Sequence, residues 1–296
     1  MKLRSALLAC LPALQVSAHG AVLFSDSFNR ADSKNIDASL TGIVDNTGSN
    51  LTADNVYTHA WIDPASQSPL YGTPDANAAN GGGSQILSNQ LQLKYGAGTV
   101  NAYVNHNFTN ASILTAGGFS VSLDVAGYNQ TTINQGGAFG IGLTALEAAS
   151  MRDAVANQNN ELHMSNALGS GLPSQTGALA DFWVGLRGNA TIAWGSGDTV
   201  LGSLPVAAKT GTISAVFTVP DFNQGSTVGF EVFYNGTTQG TGSFLWTDNN
   251  ANYIAMDGRD NTFLNLDNLV VATVPEPSAL ALGLFGLGAL LRRRRA

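Results

Sequence analysis

Apolar and polar residues alternate with a period of two along much of this chain. Phe119-Ser120-Val121-Ser122-Leu123-Asp124-Val125 is the clearest case, apolar at every second position, as on a strand with one face in a core and the other in water. Gln90 to Tyr95 repeats the pattern after Ser88-Asn89, and so do Val100 to Phe108, Thr212 to Val219, Val228 to Tyr234 and Phe263 to Val271. Gly188-Asn189, between Asp181–Arg187 and Ala190–Trp194, predicts a hairpin turn. Asn235-Gly236 ends another strand with residues that tolerate positive φ. Gly81-Gly82-Gly83 and Gly136-Gly137 mark loops. One segment departs from the period: Thr144-Ala145-Leu146-Glu147 has the form of a capping box, and Ala145 to Asn157 is rich in helix formers. The pattern predicts an all-β fold, a two-sheet antiparallel sandwich from Val22 to Ala272 with one short inserted helix that packs over a sheet edge or loop.

The alternation stops at both ends. Lys2 and Arg4 precede an apolar stretch from Ala6 to Leu14, and Val16-Ser17-Ala18 offers the small residues a signal peptidase reads. Residues 1–18 therefore read as a secretory signal peptide. Leu7-Leu8-Ala9-Cys10 is a competing lipobox, but it leaves only Ala6 to Ala9 as a core before the cysteine. Cys10 is the one cysteine of the chain, so cleavage after Ala18 excludes a disulfide framework, a thiolate nucleophile and a cysteine metal site.

At the other end, Val274-Pro275-Glu276-Pro277-Ser278 is followed by the uncharged run Ala279 to Leu291 and then by Arg292, Arg293, Arg294 and Arg295. The two prolines hold the backbone extended and open to a protease. The apolar run can enter a bilayer as a helix, and the arginines hold their end in the cytoplasm. This order over Val274 to Ala296 resembles the PEP-CTERM sorting signal of Gram-negative bacteria. The resemblance implies a membrane protease, the exosortase, as processing partner, a transient anchor in the inner membrane, and release to the cell surface or extracellular matrix. Two other readings stand beside it. A permanent tail anchor would have to span with thirteen residues, a rise of about 20 Å against a hydrocarbon core of roughly 30 Å. Basic clusters also bind nucleic acid, but this one directly follows an apolar run and reads as a stop.

Charge narrows the partners of the body. Between residues 22 and 272 stand seven basic and nineteen acidic residues, a net charge of −12. That sign repels nucleic acid and anionic polymers and favours cations and neutral ligands. Charged residues make up only 11% of the chain, so solubility rests on Asn, Ser, Thr and Gly. Such a surface hydrogen-bonds rather than ion-pairs and suits extracellular polysaccharide as a partner. The Asn-x-Ser/Thr sequences at Asn107 and Asn235 reflect the same composition.

Two segments of the body carry a second resemblance. Leu23-Phe24-Ser25-Asp26-Ser27-Phe28-Asn29-Arg30-Ala31-Asp32-Ser33 looks like the opening strand, and Leu264-Asn265-Leu266-Asp267-Asn268-Leu269-Val270-Val271 like the closing strand, of secreted concanavalin A-like, laminin-G-like jelly rolls. The resemblance implies that the first and last strands lie side by side and that a structural Ca²⁺ sits near them. Asp26 and Asp267 are its candidate ligands, with Asp32 and backbone carbonyls as additions. Solvated edge aspartates that deter strand pairing are the alternative. Glycosidases of this fold use a Glu-x-Asp-x-x-Glu strand, which implies a signature this chain lacks. Its body has three glutamates, Glu147, Glu161 and Glu231, without that spacing, and no two histidines have ligand spacing. The expectation is a protein without a catalytic residue, with a polysaccharide-cleaving enzyme as the alternative.

A binding role has its own candidates. If Phe182, Val184 and Leu186 face the core, then Asp181, Trp183 and Arg187 face the other way. A tryptophan flanked by a carboxylate and a guanidinium can stack on a sugar while the charges take its hydroxyls. Glu231 and Phe233 have the same opposite-face placement on their strand. Trp183 packed beneath a helix or loop is the competing reading. The sequence thus predicts a secreted, non-catalytic protein, structural or adhesive in extracellular polysaccharide, with weak glycan binding.

Overall fold

All six of the clearest alternating segments are strands in the computed structural model, which describes residues 20–32, 57–59, 83–94, 100–105, 111–128, 137–144, 147, 180–187, 190–249, 251–258 and 263–275. Along the chain come β1 (Val22–Asp26), β2 (Tyr57–His59), β3 (Gly83–Leu87), β4 (Gln90–Lys94) and β5 (Val100–Asn105). A short helix α1 (Ala111–Ala116) follows, then β6 (Gly118–Tyr128), β7 (Gly137–Leu143), β8 (Phe182–Arg187), β9 (Thr191–Ser196) and β10 (Thr199–Pro205). The last five are β11 (Gly211–Thr218), β12 (Thr227–Tyr234), β13 (Thr237–Leu245), β14 (Tyr253–Gly258) and β15 (Phe263–Thr273).

These strands form two antiparallel sheets, a jelly-roll sandwich. Sheet A runs β13-β12-β11-β6-β15-β4-β3, with β1 also paired to β15, and sheet B runs β10-β9-β8-β7-β14-β5-β2. The first and last strands do lie side by side. β15 is long enough to serve two partners, pairing β4 through Phe263–Leu266 and β1 through Leu269–Ala272. Between them the register against β6 shifts at Asp267/Val270, where Asn268 takes a positive φ of 47°. The turns follow the chemistry of their residues. Ser88 and Asn89 have φ of 54° and 61°, and Asn235 and Gly236 have 48° and 76°, the conformation that a two-residue hairpin demands.

The core lies between the sheets and is built from the apolar phase of each alternation. Phe119, Val121, Leu123 and Val125 of β6 are buried, and Ser120, Ser122 and Asp124 between them are not. Phe182 of sheet B meets Phe217, Phe230 and Phe244 of sheet A at ring-centroid separations of 5.2, 4.8 and 5.3 Å, within the range of favourable aromatic pairs. Trp194 of β9 closes one side of the sandwich. A Cβ at Gly202 on β10 would lie 2.1 Å from its ring, and one at Gly240 on β13 2.3 Å, so the indole fits only because both facing residues are glycine. Next to those glycines, Leu201 and Gln239 are each an extra residue in the register, a β-bulge on each edge strand.

α1 is a helix the sequence does not predict, while Glu147, in the segment where a helix is predicted, is itself helical. α1 connects β5 to β6, buries Ile113 and ends at Gly117, whose φ is 79°; six residues are too few for a helical period to show. The capping box itself is formed: Thr144 donates from its N–H and Oγ1 to Glu147 Oε2 at 2.7 and 2.8 Å, and Glu147 N–H donates to Thr144 Oγ1 at 3.2 Å. The rest of the helix expected to Asn157 lies outside the described residues, as do the Gly188-Asn189 turn, the signal peptide and the tail from Glu276 onward. Among the described residues no helix is long and apolar enough to cross a membrane. Of the sorting motif, Val274 and Pro275 are described, and Val274 N–H donates to Gly118 O at 3.0 Å. Ala21–Val274 forms one compact unit.

Candidate functional site

Trp183 lies on the face of sheet B opposite the core, as its phase predicts, but it is 0% exposed. Its cross-strand neighbours explain this. Gly140 of β7 and Gly195 of β9 flank it in the register, and a Cβ at Gly195 would come within 2.3 Å of its ring. The indole therefore lies flat over glycine backbone, and its Nε1 donates to Gly197 O at 2.9 Å. An exposed sugar platform at Trp183 is ruled out, because the ring has no accessible face and its polar atom is already satisfied.

Asp181 is also withdrawn from solvent, at 3% exposure. Thr247 donates to it twice, from N–H to Oδ2 at 2.9 Å and from Oγ1 to Oδ1 at 2.5 Å. The carboxyl thus ties the start of β8 in sheet B to the chain leaving β13 in sheet A. Burial pushes it up to about 7; the Thr247 hydrogen bonds oppose the shift, and the like charges of Glu147 and Asp248 add to it. Its role is an inter-sheet tie rather than a contact to ligand hydroxyls. Thr247 carries no sequence signal that marks it as the partner.

Arg187 stays half-buried at the end of β8, opposite Thr191. Glu231 stands on β12 in the other sheet, where its Oε1 accepts a 2.8 Å hydrogen bond from Thr238 Oγ1. The four expected glycan contacts are therefore split: two are buried, and the remaining two sit on different sheets.

What surrounds Glu231 is a broad face. The polar phase of sheet A points away from the core, and the register aligns it in rows across the strands. One row runs Val270–Ser122–Ser214–Phe233–Thr238, and the next Ala272–Ser120–Val216–Glu231–Thr241, across β15, β6, β11, β12 and β13. Every member of both rows is half-buried or exposed. Farther along, Gln92 Nε2 donates to Asn265 Oδ1 at 3.2 Å. Hydroxyls and amides dominate, one aromatic ring stands among them, and Glu231, Asp124 and Asp267 add acidic charge among its described side chains.

Those last two acids bear on calcium. Asp267 lies opposite Asp124 in the register. Its carboxyl is raised above the usual range by burial first, then by Asp124 and Asp26, with hydrogen bonds from Asn268 and Gln90 opposing. Asp124 accepts from Thr212 Oγ1 at 2.5 Å and from Asn268 Nδ2 at 2.8 Å. Asp26 does not fit a metal ligand. It is buried, and its Oδ1 takes the N–H of Phe28 and the guanidinium of Arg30, both at 2.7 Å. Arg30, also buried, supplies the positive charge that a cation would bring. The calcium expectation keeps Asp267 but loses Asp26. Among the described residues no group of three or more His, Cys, Asp or Glu is placed to hold a metal ion.

No family model matches the sequence. No curated protein matches it either. Solved structures similar to the chain include a legume lectin-like domain from Entamoeba histolytica (11% identity, 65% of this chain and 88% of that one, TM-score 0.37). The VIP36 exoplasmic/lumenal domain in its Ca2+/Man3GlcNAc-bound form is another (6% identity, 65% and 84%, TM-score 0.37). A third is a sialidase at 8% identity and TM-score 0.37, where the match covers 65% of this chain but only 16% of the sialidase.

Proposed function

We propose that this chain is a secreted, non-catalytic protein that binds neutral glycans weakly through the outer face of sheet A and serves a structural or adhesive role in extracellular polysaccharide. The observation that carries the reading is the face itself, where Ser and Thr hydroxyls are interspersed with Val, Ala and Phe side chains around Glu231 and neither row holds a basic side chain. Hydroxyl rows suit polyhydroxylated ligands, and an acidic body with a net charge of −12 repels anionic ones. Export by a signal peptidase at Ala18 and sorting by an exosortase at the Val274-Pro275-Glu276-Pro277 motif belong to the same proposal, with Arg292–Arg295 removed from the mature surface form. Calcium, if bound, belongs at Asp267 and is not required for the fold, since Arg30 already neutralises Asp26.

A glycan array run beside a panel of polysaccharide substrates tests the reading with purified residues 19–273. Binding without product release is expected. Product release would support the enzyme alternative. Mass spectrometry of the protein from its native envelope should give a chain that starts near His19 and ends close to Pro275–Pro277. Recovery of intact Arg292–Arg295 on most of the surface protein would replace the exosortase reading with a tail anchor.

A further inference from the structure

We infer that the body holds the upstream half of its own C-terminal processing site closed, with the first residues of the mature chain as the latch, so that removal of the tail waits on local release of Thr273 and Val274; this rests on the sorting reading above. A protease takes its substrate as an extended strand whose backbone donors and acceptors pair with the cleft. Upstream of Pro275 those donors are already taken. Thr273 N–H donates to Ala21 O at 2.8 Å, and Val274 N–H donates to Gly118 O at 3.0 Å. Thr273 is buried, and its Oγ1 accepts the N–H of Ala21 at 2.9 Å. The first residue beyond these bonds is Pro275, which is exposed and has no N–H to donate.

The lock is anchored on both sides. A Cβ at Gly118 would lie 1.9 Å from Phe217 O, so the chain there runs tight against the backbone of β11, and Val219 N–H donates to Gly117 O at 3.0 Å. On the other side, β1 continues the pairing from Val22 opposite Ala272 to Asp26 opposite Leu269. Ala21 lies three residues past the expected cut after Ala18, and Val274 directly precedes Pro275-Glu276-Pro277. The two processing sites therefore meet at one reciprocal pair, Ala21 and Thr273. An N-terminus that has not docked leaves Thr273 without this partner and the site open, and docking closes it. Cleavage of a folded chain then follows the small fraction of molecules in which the pair is parted.

Pulse-chase labelling in the producing cell tests this by following tail loss from the wild type, from a chain with Gly-Ser-Gly-Ser inserted between Val274 and Pro275, and from Thr273→Val. The insertion keeps every bond of Thr273 and Val274 and moves the motif away from them. Thr273→Val keeps the shape of the side chain but removes the acceptor for Ala21 N–H. Each should lose its tail about fivefold faster than the wild type, the scale of one lost hydrogen bond in the opening equilibrium. Subtilisin acting on the purified full chain tests the closure without the native protease: cuts between Leu269 and Val274 should form about fivefold more slowly in the wild type than in Thr273→Val. Tail loss at one rate in all three chains, slower loss from the inserted chain, or equal subtilisin cutting of both overturns this inference and leaves the sorting reading standing. Retention of the tail by all three removes the sorting reading and the inference together. If Thr273→Val does not fold, the insertion decides alone, since it changes no residue of the body.

Discussion

The indole Nε1 of Trp183 donates to the carbonyl oxygen of Gly197 at 2.9 Å across the β9–β10 turn. A side chain out of phase with the core is thereby made structural. Trp183→Ala should cost about 3–5 kcal/mol of stability by opening a cavity over Gly140 and Gly195. Trp183→Phe should recover most of the packing but not the hydrogen bond to Gly197. Urea denaturation measures both. A variant at Trp183 that melts like the wild type but loses glycan binding would contradict the buried placement.

Asp181 makes stability depend on pH in a defined direction. Its folded value of about 7 lies above the unfolded carboxylate value of 3.8, so the folded state binds a proton that the unfolded state releases. Stability contributed by this group is therefore lowest above pH 7. It increases as pH falls through 7 and is fully gained near pH 4. The melting temperature should rise from pH 8 to pH 5, and Asp181→Asn should flatten that rise while keeping an acceptor for Thr247. A slope identical in wild type and variant would assign the effect elsewhere.

Gly202 and Gly240 set the clearance for Trp194. A methyl group at either site meets the ring at 2.1 or 2.3 Å, well inside contact distance, and the ring is held by the core. Gly202→Ala and Gly240→Ala should each cost about 1–3 kcal/mol, the scale of overpacking. Trp194→Leu in the same background should restore part of the loss, because the obstructing ring is gone. Thermal melts of the single and double variants decide it.

Asp26 and Arg30 form a buried ion pair, with the guanidinium also 5.4 Å from the Phe28 ring centroid. Asp26→Asn breaks this buried pair and should cost about 3–5 kcal/mol. EDTA should leave the wild-type melting curve unchanged. Asp267→Asn should raise the melting temperature at neutral pH by removing a carboxylate that Asp124 and Asp26 repel. A calcium-dependent gain in the wild type that Asp267→Ala abolishes would instead establish the metal at that position.

The parts of the fold legible in the sequence are those where one local rule decides. Alternation locates β4, β5, β6, β11, β12 and β15 because a half-buried strand has no other way to divide its side chains, and Asn235-Gly236 marks a strand end because positive φ is selective. β7 was not legible: Gly137–Leu143 is buried on both faces, so it has no polar phase to alternate with. β10 failed for the opposite reason, since Val200, Leu201 and Leu204 all remain exposed on an edge strand. For the candidate site, Glu231 and Phe233 could be placed on an outer face from their phase alone. Trp183 and Asp181 could not be placed as buried, because their burial depends on Gly195, Gly197 and Thr247, which are remote in sequence or featureless.

The two bulges beside Trp194 bear on how this protein behaves when crowded. β10 and β13 are the strands at which each sheet ends on that side, and neither carries a charged residue to keep another strand away. The extra residues Leu201 and Gln239 break the even spacing of backbone donors and acceptors that an incoming strand would have to match, and Pro205 removes a donor at the end of β10. Wrapping the edges around one indole therefore also interrupts the pattern on which edge-to-edge polymerisation depends. An incoming strand would meet an interrupted ladder at the end of either sheet.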